Sequence, residues 1–237
     1  WSNFLIFIRV KKDENIDQIF LTASGGPFLN KPINKIKKVK ISDALKHPNW
    51  RMGKKISIDS ATMMNKVFEV IETKNIFSTT YKKISILIHP KSYIHAIVKF
   101  NDGTSKLLAH EPSMKIPIFN TLYLEKYKKF KSNKLDINIL NNLKLSKIDK
   151  KLFPSVKVLD SLPEKSSLFE TVIVATNDEL VNSFLKKKIS FHDISKMILK
   201  IINLKEFQKY KKNEPKNIHD IHILSEYVRL KVNSFCI

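Results

Sequence analysis

At 237 residues the chain is long enough for one large domain or two modest ones, and its apolar content of 43% fits a globular protein with a real core. No run approaches the roughly 20 apolar residues of a membrane-spanning helix, and Phe4–Ile8 lacks the basic lead and small-residue cleavage site of a signal peptide. The formal charge of +21 invites a nucleic-acid reading, but only three of the 43 basic residues are arginine: Arg9, Arg51 and Arg229. Lysine is spread along the whole chain beside isoleucine, asparagine and phenylalanine, all with A/T-rich codons. A biased genome is the simpler cause, and a lysine-rich nucleic-acid-binding module is the alternative. Cys236 is the only cysteine, which excludes an intrachain disulfide and a cysteine-rich metal site. The chain begins at Trp1 and is expected to be a piece of something longer.

Residues 17–23 read as a strand running into the sharp loop Ser24-Gly25-Gly26-Pro27. Two of the four glycines fall in that loop, so backbone freedom is expected there. Residues 30–57 are lysine-rich and mixed, with a short helix at Ser42–Leu45 ended by His47-Pro48. Asp59 or Ser60 then caps a helix from about 61 to 75. Strands are expected at 84–88, 93–100 and 105–109, the last two joined by the turn Asn101–Thr104. Met114–Tyr123 reads as helix, and 125–150 as a linker rich in Lys, Asn and Asp. From Pro154 onward the apolar spacing is helical, as in 181–186, 194–202 and 218–232, which predicts an all-helical bundle. The expected architecture is an α/β (α+β) domain with a small mixed sheet and helices over 1–124, carrying a lid loop at about 24–54. The linker follows over 125–150 and a C-terminal all-helical bundle over 151–237.

The segment His47–Glu69 holds the densest chemistry. On a helix with Asn65 at 0°, Glu69 falls at about 40°, Lys66 at about 100° and Glu72 at about −20°. Met63, Met64, Val67, Phe68, Val70 and Ile71 fill the opposite arc. Taken alone, such a polar face is ordinarily just solvated. Ser60, at the expected helix start, adds free amides and the positive end of the dipole, a match for an anion. Lys66 adds a charge and Asn65 a donor, so a phosphate is well matched. Glu69 can hold a hard divalent cation, although one carboxylate is not a cage. Ser24 with its glycines is a second anion site or a plain tight turn. His47 and Trp50 with Met52 read as a lid that excludes water. His89 and His95 frame a turn between strands. His219-x-x-His222 lacks a third zinc ligand, and His110 and His192 carry no signal.

Four segments carry a resemblance: Leu21-Thr-Ala-Ser-Gly-Gly-Pro-Phe28, His47–Glu69, His89-Pro-Lys-Ser-Tyr-Ile-His95 and Glu111-Pro-Ser-Met114. Together they closely resemble the 1-deoxy-D-xylulose-5-phosphate reductoisomerase family, and Ala175-Thr-Asn-Asp-Glu179 resembles a segment of its C-terminal bundle. The resemblance implies an enzyme of non-mevalonate isoprenoid synthesis. It would rearrange 1-deoxy-D-xylulose 5-phosphate and reduce the product to 2-C-methyl-D-erythritol 4-phosphate with NADPH and a divalent cation, Mg²⁺, Mn²⁺ or Co²⁺. It implies that Ser24, Ser60, Asn65 and Lys66 grip the phosphate, with His47 at the substrate and Glu69 as metal ligand. Trp50 and Met52 would form the lid, Gly53 would lie against NADPH and Met114 near its nicotinamide, and Ser92 and His95 would line the pocket. A homodimer is implied, with no nucleic-acid or membrane partner, in the bacterial cytoplasm or in a plastid. Two departures stand out: Val67 where the family has glycine, and Ser113 in the family's Pro-Asp-Met. The family's Rossmann domain and Asp-Ser-Glu motif would lie before Trp1, leaving one of three expected metal ligands. A non-catalytic remnant of such an enzyme is the further alternative.

Overall fold

The computed structural model describes residues 15–36, 38–47, 52–123, 129–134 and 136–236. The chain divides into two compact units that interleave in sequence: Trp1–Gly25 with Phe68–Ile148, and Gly26–Val67 with Asp149–Ile237. The stretch 26–67, which sequence groups with the catalytic part, belongs with the C-terminal helices.

The first unit is built on a five-stranded mixed sheet. Its strands are β1 (Ile16–Ala23), β2 (Ile84–Ile88), β3 (Ile94–Phe100), β4 (Ser105–Ala109) and β5 (Ser146–Lys147), in the order β4-β3-β1-β2-β5. Strands β1 and β2 pair in parallel, with Ile19 opposite Ile84 and Leu21 opposite Ile86; the other pairs are antiparallel. A parallel pair needs a long crossover, and residues 24–83 provide it. Burial alternates along β3, where Ile94, Ala96, Val98 and Phe100 face the core together with Ile84, Ile86 and Ile88 of β2. Strand β4 is an exposed edge. Its turn from β3 is set by Gly103 at φ +86° and by Asp102, whose carboxylate accepts from the Thr104 amide at 2.8 Å. The Thr104 hydroxyl and that amide bond hold the Asp102 carboxyl below its usual range. Part of the expected linker is structured: a short helix at Ile137–Asn141 leads to β5, which pairs with β2.

The second unit is helical. Short helices at Ile33–Ile36 and Ile41–Ala44 precede α1 (Lys54–Thr62) and the start of α2 (Met64–Ile76). Helix α3 (Lys115–Leu122) belongs to the first unit. A 3₁₀ run over Pro154–Ser161 then leads to α4 (Phe169–Leu185), α5 (Phe191–Ile202) and α6 (Ile218–Phe235). The core joins Phe28, Leu180, Ile194 and Ile198, each almost wholly buried, and the Phe28 ring meets Phe191 edge-on at 4.9 Å. Helix α5 starts with a capping box in which Ser190 Oγ accepts from the Asp193 amide and Asp193 accepts from the Ser190 amide at 2.9 Å. No helix among the described residues is long and apolar enough to cross a membrane.

Candidate active site

The expected single helix after Ser60 is two helices with a break between them. Met63 adopts the left-handed conformation, φ 67° and ψ 8°, and its amide donates to Ser60 O at 3.2 Å, closing α1. Helix α2 then starts at Met64, whose amide approaches Thr62 Oγ1 at 3.4 Å, and the Lys66 and Val67 amides donate to Met63 O. Ser60 is therefore not an N-cap, and neither is Asp59: both sit in α1, which begins directly after Gly53. The helix start falls instead at α2, with Asn65 and Lys66 in its first turn. The Met64, Lys66 and Val67 amides are taken within the elbow, so what this end offers an anion is the dipole and the Asn65 and Lys66 side chains. Ser60 contributes a half-buried hydroxyl to the same elbow.

Within α2 the face division holds. Met64, Val67 and Val70 are buried, with Val67 at 0% exposure, while Asn65, Lys66 and Glu69 are half-buried. The helical projection thus correctly places Val67 in the core. Phe68 and Ile71, on the expected apolar arc, are only half-buried. Glu69 stands one turn beyond Asn65, and its carbonyl accepts from Thr73 Oγ1 at 2.6 Å.

The Ser24-Gly25-Gly26 loop needs both glycines. Gly25 has φ +91° and Gly26 φ +63°. A Cβ at Gly26 would stand 3.2 Å from Ser60 O and 3.3 Å from Ala61 Cα, so this backbone presses on the last turn of α1. Half-buried Ser24 leads directly into that contact. His47 is half-buried, and burial pulls its imidazole below the usual histidine range. Trp50 lies outside the described residues. Met52 is half-buried, and Gly53, at the N-terminus of α1, has open space where a Cβ would be.

In the first unit, His89 follows β2. Its amide donates to Ala23 O at 2.7 Å, and its fully buried ring meets Lys144 O through Nδ1 at 3.1 Å. Ser92 is buried, at φ +50°, in the turn closed by its amide on His89 O. His95 stacks on His110 with centroids 3.6 Å apart, and its Nε2 meets His110 O at 3.2 Å. Burial lowers the His110 pKa. His110 has no mark in the sequence, since only the β3–β4 pairing brings it to His95. Met114 opens α3 at 40% exposure.

A polar network in the second unit also escapes sequence reasoning. Asp59, almost fully buried, accepts from Asn177 Nδ2 at 2.8 Å and pairs with Lys55 at 2.6 Å. Lys55 also meets Asp178 at 2.9 Å, and Asp178 pairs with Arg229 of α6 at 2.9 Å. Burial pushes the Asp59 carboxyl up against the pull of Lys55 and Asn177. Burial also disfavours the Lys55 charge, but Asp59 and Asp178 outweigh it and hold the ammonium above its usual range. The i, i+4 spacing of Lys55 and Asp59 is one available signal, and Asn177 and Asp178 lie in the Ala175–Glu179 segment that carries part of the resemblance. Nothing in the sequence ties that segment or Arg229 to Asp59.

These side chains suit a phosphate better than they suit a whole metal or cofactor site. Among the described residues no three His, Cys, Asp or Glu side chains gather as a metal cage, so Glu69 by itself could offer a cation only one carboxylate. Gly53 has open space where a Cβ would be and Met114 is an exposed thioether, and neither belongs to a phosphate-binding loop.

The comparisons with known proteins bear on the same segments. The family model described as DXP reductoisomerase C-terminal domain matches residues 110–231, and that of the 1-deoxy-D-xylulose 5-phosphate reductoisomerase C-terminal domain matches residues 2–77. The chain is 56% identical to 1-deoxy-D-xylulose 5-phosphate reductoisomerase of Pelagibacter ubique over 226 residues, covering 95% of this chain and 58% of the relative. It is 40% identical to the same-named protein of a Sulfurihydrogenibium species, covering 97% of this chain and 61% of that relative. A crystal structure of DOX-P reductoisomerase in complex with NADPH, fosmidomycin and magnesium superposes with a TM-score of 0.84 at 31% identity, covering 94% of this chain and 55% of that one. The chain thus spans somewhat more than half the length of the relatives it matches. With one family model covering more than half of it, and the elbow and its glycine loop lying in the matched segments, the chain belongs to the 1-deoxy-D-xylulose 5-phosphate reductoisomerase family.

Proposed function

We propose that this chain is the catalytic and C-terminal portion of an enzyme that converts 1-deoxy-D-xylulose 5-phosphate to 2-C-methyl-D-erythritol 4-phosphate in isoprenoid biosynthesis. The observation that carries the reading is the α1–α2 elbow. Its left-handed break at Met63 sets Ser60 at the end of one helix and Asn65 and Lys66 at the start of the next. A hydroxyl, an amide and an ammonium at a helix N-terminus form a phosphate grip. Ser24, at the glycine loop, adds a second hydroxyl. Glu69, one turn on, supplies one carboxylate to a divalent cation. His47, whose imidazole burial pulls below the usual histidine range, can accept or donate a hydrogen bond at a substrate oxygen. By the family resemblance Met52 and Trp50 are assigned to a lid that excludes water, Gly53 and Met114 to the cofactor, and Ser92 and His95 to the pocket wall.

When bound, the cation polarises the substrate oxygens and NADPH supplies the hydride. Magnesium and NADPH accompany the similar reductoisomerase structure, which supports both; manganese or cobalt would suit the same oxygen-rich ligands. The enzyme acts as a homodimer on a phosphorylated sugar, in the bacterial cytoplasm or a plastid. In the complete enzyme, Lys66→Ala and Glu69→Gln each lower turnover by about 100-fold or more, as expected for removing a charge that positions the substrate or its metal. Steady-state rates with purified variants test this. Near-normal activity in both would sink the assignment.

A further inference from the structure

Resting on that reading, we infer that Asp59 is a positioning residue: held by Asn177 and Lys55, it locks the elbow that presents Ser60, Asn65 and Lys66. Asp59 directly precedes Ser60 and is 2% exposed, on the inner face of α1. Two groups converge on its carboxylate. Asn177 of α4 donates from one side at 2.8 Å. Lys55 closes the other at 2.6 Å and extends through Asp178, at 2.9 Å, to Arg229 of α6. Arg229 Nη1 also lies 3.8 Å from Glu179.

Of the charges on Lys55, Asp59, Asp178 and Arg229 only the Asp59 carboxylate is buried, while Lys55 and Arg229 reach solvent at 45% and 40% exposure. A buried carboxylate is a poor device for stability, because apolar residues of similar volume usually do as well or better. Its distinctive effect is registration: the hydrogen bonds are satisfied in one relative placement of the helices and lost in others. The cost is visible at Asn177, which is fully buried, with Nδ2 committed to Asp59 and Oδ1 left without a hydrogen-bond partner. The placement enforced is that of the final turn of α1, where Ser60 O receives the Met63 amide and Gly26 packs so closely that a methyl there would push on the turn. The late segment Ala175–Glu179 is thereby drawn into the site, since its Asn177 braces the elbow from α4.

The test uses the full 237-residue chain with inorganic phosphate as probe. Amide hydrogen exchange is followed at Met63, Lys66 and Val67, and phosphate affinity by calorimetry, in the parent and in Asp59→Ala, Asp59→Asn, Asn177→Ala and Lys66→Ala. Asp59→Ala is expected to speed exchange of the elbow amides and to weaken phosphate by about tenfold, a displacement effect on a binding group. Asp59→Asn, which keeps the bond to Asn177 and loses the ion pair, should recover much of the affinity. Asn177→Ala should resemble Asp59→Ala, and it carries the test if Asp59→Ala does not fold. If elbow exchange and affinity stay at the parent level in the Asp59 and Asn177 variants while Lys66→Ala loses phosphate, the positioning role is overturned and the phosphate site stands. Faster exchange with unchanged affinity also overturns it, as a purely structural role would give. If the parent binds no phosphate, or Lys66→Ala binds as the parent does, the phosphate reading fails and this inference falls with it.

Discussion

Gly26 and His110 show how much a single position can carry. At Gly26 the φ of +63° and the 3.2 Å approach of a built Cβ to Ser60 O act together. Gly26→Ala should destabilise the chain by about 1–2 kcal/mol from the left-handed conformation alone, with more from the displaced α1 turn. Urea unfolding would show it, and an unchanged midpoint would mean that the loop relaxes freely. His110 is a matter of protons. Its folded pKa is lowered by burial, so in acid the unfolded chain takes up a proton that the folded chain resists. Stability is therefore present above the unfolded value of about 6.5 and drains as pH falls from there toward the lower folded value. His47, lowered for the same reason, adds to that slope. His110→Phe keeps a flat ring against His95 and removes one titration. Its thermal midpoint should fall less than the parent's between about pH 7 and about pH 5, the span around the histidine value, and parallel curves would reject the account. The candidate site residues stand out in the sequence because their types are costly without chemistry. His110 was not, because its partner is brought by strand pairing.

At the scale of elements, sequence spacing served the sheet well: β2 and β4 match the expected spans, and β1 and β3 differ by one residue at the start. Period-2 burial leaves a plain trace when one face is wet. Strand β5 left none, because two residues have no period. The α1–α2 pair reads in sequence as one helix starting late. Lys54-Lys55-Ile56-Ser57 looks like loop, and nothing at Met63 announces a left-handed residue, which usually calls for glycine or asparagine. Met63 is held there by burial, at 3% exposure, and by the Ser60 carbonyl. Val67 is the clearest test of this scale. It is fully buried in the first turns of α2, where related enzymes are expected to carry glycine. Val67→Gly should lose about 1 kcal/mol of helix propensity and about 1.5–3 kcal/mol of side-chain burial. Chemical denaturation giving a gain instead would mean that Val67 overpacks the helix.

For the whole molecule, the interleaving of two units and the excess charge matter most. No composition shift marks residues 26–67 as partners of 149–237, because the pairing rests on tertiary contacts such as Phe28 with Phe191. The charge is legible at once, but its meaning is not. Carboxylates such as Asp17, Asp59, Asp160 and Asp178 already face lysine or arginine, and with 43 basic against 22 acidic residues most lysines repel one another across the surface. That repulsion is screened within about 10 Å at 0.1 M salt, so the melting temperature should rise as sodium chloride is raised from about 0.01 M to about 0.2 M. A flat or falling curve would show that the charges are already balanced in place. Phosphate separates screening from a specific site. At matched ionic strength it should raise the melting temperature further than chloride in the parent, by mass action on the folded state, and the extra rise should vanish in Lys66→Ala. A lysine-rich surface that merely collects anions would give the same phosphate increment with and without Lys66. The presence or loss of that increment decides whether the +21 charge is a background on which one grip is built, or the whole of the anion affinity.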